Sequence, residues 1–159
     1  AGIDIKNSSV ISGQRRSKRR QKHGKRTRKN DMHGLHLIAE LHECDCARDL
    51  LDRVETLREV CLAVCASPGL TPVAQAFHQF MDGGRLAGAT GAVVLAESHL
   101  AVHTWPELRA VTLDLYVCNF SRDNSAAARA AFAQLIARFC PHRCVQREIV
   151  RGQIGAPTG

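Results

Sequence analysis

Two alternating runs joined by a short link constrain this chain more than any other feature. Along 99–105, Leu100, Val102 and Thr104 fall on one side, and His99, Ala101, His103 and Trp105 on the other. Along 111–118, Val111, Leu113, Leu115 and Val117 share one side, and Thr112, Asp114, Tyr116 and Cys118 the opposite one. Period-two alternation marks a half-buried strand. The link Pro106-Glu107-Leu108-Arg109-Ala110 is short enough to make the pair an antiparallel hairpin. Opposed residues of a sheet point the same way, and a one-residue slip would turn every apolar residue outward. Polar side must therefore meet polar side. The five-residue link sets His103 against Asp114 and His99 against Cys118, to within two positions. Two His, a Cys and an Asp then share one sheet face directly after Ser98.

The rest of the chain supplies partners for that hairpin. Leu35 to Leu41 alternates as a strand. Over 47–66, Leu50, Val54, Leu57, Cys61 and Val64 recur at helical spacing, and Ser67-Pro68-Gly69 stops the helix. Val73 to Phe80 reads as a strand, Met81 to Gly88 as a loop, and Ala92 to Ala96 as a short strand. Asn124 or Ser125 caps a second helix with the apolar face Phe132, Leu135, Ile136 and Phe139, ended by Pro141. Cys144 to Val150 is a last strand, and 153–159 a loose tail. The pattern predicts an α+β domain over 32–152: a mainly antiparallel sheet with two helices packed on one face.

Charge separates this domain from what precedes it. The chain's net charge is +7, yet residues 1–31 hold 11 of its 22 basic residues and only two acids. Residues 32–159 carry 11 Arg, no Lys and 13 acids. The run Gln14 to Lys29 has no apolar residue and is predicted to be disordered. It reads either as a basic arm for an acidic surface or as sequence upstream of the working protein, with Met32 the candidate natural start. It lacks the aromatic residues that stack bases, and the acidic domain lends it no support, so nucleic acid is not the expected partner. No uncharged apolar run approaches the roughly 20 residues that span a bilayer. Seven Cys, an odd number without an export signal, fit free thiols in a reduced cytoplasmic protein. None has the Cys-x2-Cys spacing of common zinc sites, so no metal is expected.

The string Glu97-Ser98-His99-Leu100-Ala101-Val102-His103-Thr104-Trp105-Pro106-Glu107 closely resembles the self-cleavage site of the small bacterial S-adenosylmethionine decarboxylases. Their pattern is Glu-Ser-His-x-x-x-His-Thr-x-Pro-Glu with a Cys 20 residues beyond the Ser, which here is Cys118. Gly34 to Asp45 looks like the family's opening strand, and Phe77-His78-Gln79-Phe80 like its second. The resemblance spans nearly all of 32–152. Two features depart from it: Thr90-Gly91 stands where the family has Ser-Gly, and the stretch from Phe80 to Thr90 is longer than the family's loop.

The resemblance implies a pyruvoyl-dependent decarboxylase that cuts itself into a β chain ending at Glu97 and an α chain beginning at residue 98. A decarboxylase must stabilise a carbanion at Cα, and no ordinary side chain is an electron sink. A ketone next to an amide is one, once condensed with the substrate amine as a Schiff base. Ser98 becomes that ketone when its Oγ attacks the Glu97 carbonyl, the resulting ester eliminates to dehydroalanine, and water hydrolyses this to the pyruvoyl group with loss of ammonia. Thr90 is the candidate donor to the oxyanion. His103 is the candidate base for the Cα proton. Cys118 is implied as proton donor in turnover, since an ordinary thiol is largely protonated at neutral pH. Phe80, Trp105 and Glu107 match the family's adenosine contacts. The family's dimers stack their sheets, which implies a homodimer of αβ units with the active site near the interface. The expected function is production of decarboxylated S-adenosylmethionine for spermidine synthesis. The alternative is the same chemistry on arginine or ornithine.

Overall fold

Alternation along Met32–Cys44 builds the first strand, β1, because Leu35, Leu37, Ala39 and Leu41 all point into the core while His36, Ile38 and Glu40 point away. The computed structural model describes residues 32–154, so the basic segment 1–31 and residues 155–159 lie outside the described residues. The other strands are β2 (Pro72–Asp82), β3 (Arg85–Leu95), β4 (Ser98–Trp105), β5 (Ala110–Cys118) and β6 (Pro141–Ile154). They form one six-stranded antiparallel sheet in the order β2-β3-β4-β5-β1-β6. Strand β6 runs two residues into the stretch read as a loose tail.

Three helices, α1 (Arg48–Asp52), α2 (Val54–Ala66) and α3 (Ser125–Phe139), share the core with one face of the sheet. Leu57, Cys61 and Val64 of α2 and Phe132, Leu135 and Phe139 of α3 are buried there with Leu100, Val102, Leu113 and Leu115. Each such side chain contributes about 1.5–3 kcal/mol. Among the described residues no helix packs on the opposite sheet face, which carries the polar sets read from the sequence.

Three local differences from the sequence reading have clear causes. The first helix is broken at Arg53, whose backbone is extended (φ −107°, ψ 124°). The groups freed by the break are satisfied from the sheet. Gln79 Oε1 accepts from the Val54 N–H at 2.8 Å, Gln79 Nε2 donates to the Asp52 carbonyl at 2.7 Å, and Thr104 Oγ1 donates to the Leu51 carbonyl at 2.7 Å. Second, 81–88 is not a loop: β2 and β3 continue to a tight turn at Gly83-Gly84, both with positive φ (53° and 79°). Two such residues are what a type I′ hairpin requires. Third, the β4–β5 register pairs His103 with Thr112 and His99 with Tyr116, two positions from the central expectation and on the expected face. A 3-10 turn over Pro106–Leu108 and left-handed Arg109 (φ 47°) shorten the link to four residues, with Trp105 opposite Ala110.

Candidate active site

The polar residues of the motif do not gather in one place. They form two groups at opposite ends of β4. At its start, the Leu95–Ser98 pair closes the β3–β4 hairpin through Ala96 and Glu97. The Glu97 carbonyl accepts from the Cys118 N–H at 3.2 Å, and the same N–H lies 3.3 Å from Ser98 Oγ. Glu97 Oε2 accepts from the Ser121 N–H at 3.2 Å, so the residue before the motif serine is held by carbonyl and carboxylate together. A cavity of about 360 Å3 adjoins this end and is lined by Glu97, Ser98, Arg122 and Asn124. Antiparallel pairing of β4 with β5 therefore brings Ser98 and Cys118 together, as their spacing implied.

At the other end stand His103 and Thr90, which are cross-strand partners. His103 Nδ1 and Thr90 Oγ1 lie 2.7 Å apart, and the Thr90 hydroxyl is 3.3 Å from the Val102 carbonyl. A hydroxyl that donates to Val102 accepts from Nδ1–H, which leaves Nε2 as the basic nitrogen. A second cavity, about 290 Å3, is lined by Phe80, Ala87, His103, Thr104 and Trp105. Phe80 and Trp105 are both partly exposed (43% and 37%), as ring faces free for a ligand must be. Glu107 lies in the following 3-10 turn and is not among the residues lining this cavity. Thr104 is structural: its buried Oγ1 accepts from the Ala89 N–H at 2.8 Å while donating to Leu51.

Ser98 and His103 are five residues apart on one strand, which is about 17 Å at the usual rise and on opposite faces of the sheet. Thr90, paired with His103, is equally remote from the Glu97 carbonyl within one chain. The placement of His103 and Thr90 beside Ser98, natural from sequence proximity, does not hold within a protomer. Strand spacing alone carried that information.

Sequence reasoning placed His99, Asp114 and Tyr116 on the open face but missed that His36 and Arg151 join them there. His36 Nε2 is 2.7 Å from Asp114 Oδ2, and His99 Nε2 is 3.3 Å from Asp114 Oδ1. The Arg151 guanidinium stacks 4.7 Å from the centre of the Tyr116 ring, which in turn lies over Gly34. Burial, and secondarily the neighbouring Cys118 thiol, push the Tyr116 hydroxyl above its ordinary value. The alternation of Leu35-His36-Leu37 places His36 on this face, but its partner depended on the β1–β5 register. All seven cysteines are free thiols, and no group of His, Cys, Asp and Glu among the described residues is arranged to hold a metal ion. No helix among the described residues is long and apolar enough to cross a membrane.

An antiparallel sheet covered on one face by helices, with a Glu-Ser turn docked on a distant cysteine, defines a class, and comparison with known proteins gives it a family. Residues 35–152 match the pattern of the S-adenosylmethionine decarboxylase family, and the chain belongs to that family. It is 39% identical over 119 residues to the S-adenosylmethionine decarboxylase proenzyme of Aquifex aeolicus, covering 75% of this chain and 81% of that protein. It is 36% identical over 126 residues to the proenzyme of Thermoplasma acidophilum, covering 79% and 88%. The crystal structure of the adenosylmethionine decarboxylase from Aquifex aeolicus superposes with a TM-score of 0.68 at 32% identity, over 81% of this chain and 98% of that one.

Proposed function

We infer that this protein decarboxylates S-adenosylmethionine, releasing CO2 and decarboxylated S-adenosylmethionine for polyamine synthesis, and that it does so with a pyruvoyl group made by cleavage at Glu97–Ser98. The observation that carries the reading is the docking of Ser98 on Cys118, 20 residues away in sequence. A serine whose hydroxyl shares one N–H donor with its own preceding carbonyl fits conversion to a pyruvoyl group. That group would supply the electron sink that no side chain provides. Ser98 Oγ attacks the Glu97 carbonyl and displaces the Ser98 nitrogen to give an ester; a base then takes the Ser98 Cα proton, the Glu97 carboxylate leaves, and water hydrolyses the resulting dehydroalanine to the pyruvoyl group with loss of ammonia. Cys118, beside residue 98, delivers a proton to the substrate carbon in turnover. Phe80 and Trp105 flank a cavity suited to the adenine ring, and Glu107, two residues beyond Trp105, is assigned to the ribose. An arginine or ornithine substrate would leave those aromatic faces unused, and the relatives' names favour S-adenosylmethionine.

The base is His103, and the half-sites explain where it comes from. Since His103 cannot reach Ser98 along its own strand, we assign it to a second copy. In a two-fold homodimer, contact of residue i with residue j implies contact of j with i. Two copies stacked by their open sheet faces would set the Ser98–Cys118 end of each against the Thr90–His103 end of the other, making two complete sites. Thr90 then reaches the Glu97 oxyanion of the partner or orients His103 toward its Cα. Seven free thiols support a reducing compartment, and we place the protein in the cytoplasm.

Intact-mass analysis of purified protein should show two chains split between 97 and 98, and a single chain for Ser98→Ala. Incubation with carboxyl-labelled S-adenosylmethionine, arginine and ornithine, each alone, should release CO2 from the first. Release from arginine or ornithine alone would replace the substrate; turnover by an uncut chain would overturn the pyruvoyl reading.

A further inference from the structure

We propose that Tyr116 is a positioning residue for the proton donor of turnover: its hydroxyl donates a hydrogen bond to the Cys118 sulfur, leaves the thiol proton aimed at the substrate carbon, and holds the thiolate once that proton has gone. The proposal rests on the decarboxylase reading above. Tyr116 and Cys118 alternate onto the open face of β5, and Gly34 of β1 is the cross-strand partner of Cys118. A Cβ on Gly34 would stand 2.5 Å from the Tyr116 hydroxyl oxygen and equally close to its ring. The phenol therefore lies across β1, with its oxygen over the residue directly opposite Cys118. Paired residues of an antiparallel sheet have Cβ atoms about 4.5–5.5 Å apart, so the hydroxyl stands beside the thiol. Burial foremost, then the Cys118 side chain through its charge and a hydrogen bond, raise the hydroxyl above its ordinary value. The phenol thus keeps its proton and is available as a donor.

The direction of that bond follows from the chemistry. A thiol has one proton. If it pointed at the Tyr116 oxygen, it could not point at a carbon held on residue 98. With the phenol as donor, the S–H stays free for the substrate. In turnover the S–H bond breaks, the proton goes to the substrate Cα, and the electron pair remains on sulfur. The Tyr116 O–H then faces an anion, and a proton from water later restores the thiol. A hydrogen bond to a charged acceptor is roughly twice as strong as one to a neutral acceptor. The bond therefore tightens as the proton leaves, and an interaction that strengthens toward the transition state lowers the barrier. The rest of the open-face group seats the ring. His36 and His99 flank it, with ring centres 6.0 Å and 5.8 Å away, and Arg151 covers it at 4.7 Å. Asp114 holds both imidazoles in turn. The network fixes a ring whose hydroxyl end lies at the thiol.

Tyr116 is the chain's only tyrosine, so the tyrosine Raman doublet, which reports whether a phenol donates or accepts, belongs to it alone. Uncleavable Ser98→Ala, which carries no pyruvoyl group, should show the doublet of a strong donor. Adding Cys118→Ala should move it to that of a phenol bonded to water. A doublet that Cys118→Ala leaves unchanged, or an acceptor pattern at the outset, overturns the proposal and leaves the decarboxylase reading intact. In the cleaved enzyme, Tyr116→Phe keeps the ring under Arg151 and removes the hydroxyl alone. It should leave cleavage at 97/98 and KM as in wild type and lower kcat for S-adenosylmethionine about 10–100-fold, the worth of a hydrogen bond to a charged group. In a Cys118→Ala background the same substitution should change nothing further. Equal losses in the two backgrounds would make Tyr116 a packing residue. An unchanged kcat, or a loss confined to KM, would likewise end the proposal. If wild-type protein stays uncut and releases no CO2, the decarboxylase reading fails, and the role of Tyr116 falls with it whatever the doublet shows.

Discussion

In the proposed mechanism His103 and Cys118 both act at the Cα of residue 98 or of the substrate bound to it, but at different times and from different ends of the β4–β5 pair. Cys118→Ala keeps the backbone N–H that bonds the Glu97 carbonyl and every residue assigned to cleavage. It should therefore still be cut, at least in part, while turnover falls by about 10²–10⁴-fold, the usual contribution of a positioned acid or base. His103→Ala should stall before elimination as an ester that hydroxylamine cuts. A gel of both variants with and without hydroxylamine, followed by the CO2 assay, separates the roles. Wild-type turnover by Cys118→Ala would remove the thiol from the mechanism. His103's other neighbours are legible only in part. The motif pointed to Thr90, but not to a hydrogen bond between the two, because that depends on β3 pairing with β4 in one register.

At the level of elements, Gln79 joins three parts of the fold. Its amide bonds the Val54 N–H, the Asp52 carbonyl and, at 2.7 Å, the Gly88 carbonyl. It thereby fastens the break between α1 and α2 to the β2–β3 hairpin whose Phe80 lines the candidate substrate cavity. Gln79→Ala removes these three part-buried bonds, and a polar group left unpaired out of water costs up to about 1–3 kcal/mol. We expect a melting temperature lower by several degrees and a weaker apparent affinity for substrate, with cleavage at 97/98 unaffected; an unchanged melting curve would show that solvent replaces the amide. The broken helix was not legible in the sequence, since Leu50, Val54 and Leu57 keep one apolar stripe across the break. The Gly83-Gly84 turn was legible and was outweighed by the mixed polarity around it. By contrast, the β4–β5 hairpin, α3 and the helix-covered face follow directly from the period of their apolar residues, although Asn124, at the N-cap of α3, makes no capping bond with its side chain. There, burial and local preference demand the same answer.

On the scale of the whole molecule, the core is rich in thiols that resist ionisation. Burial pushes Cys44 and Cys65 up to about 11, and Cys61 higher still, with neighbouring thiols adding to Cys44 and Cys61. In the unfolded chain these groups ionise near the ordinary value of about 8.5. The folded-state values are raised, so the stability they contribute is complete below that ordinary value and is lost as pH rises toward about 11. Urea midpoints should fall steadily from pH 8 to 10, and Cys61→Ala with Cys65→Ala should flatten the slope while lowering stability at every pH. A slope unchanged by the substitutions would assign the alkaline loss to other groups. The separation of Ser98 from His103 along β4 has a consequence best put in the language of genetics. A chain with Ser98→Ala and a chain with His103→Ala are each defective alone. In a mixed dimer with the shared sites proposed above, one site would receive both lesions and the other none. Two null alleles expressed together should restore cleavage of the His103→Ala chain and a fraction of the decarboxylase activity, whereas a site built within one chain would give no complementation at all.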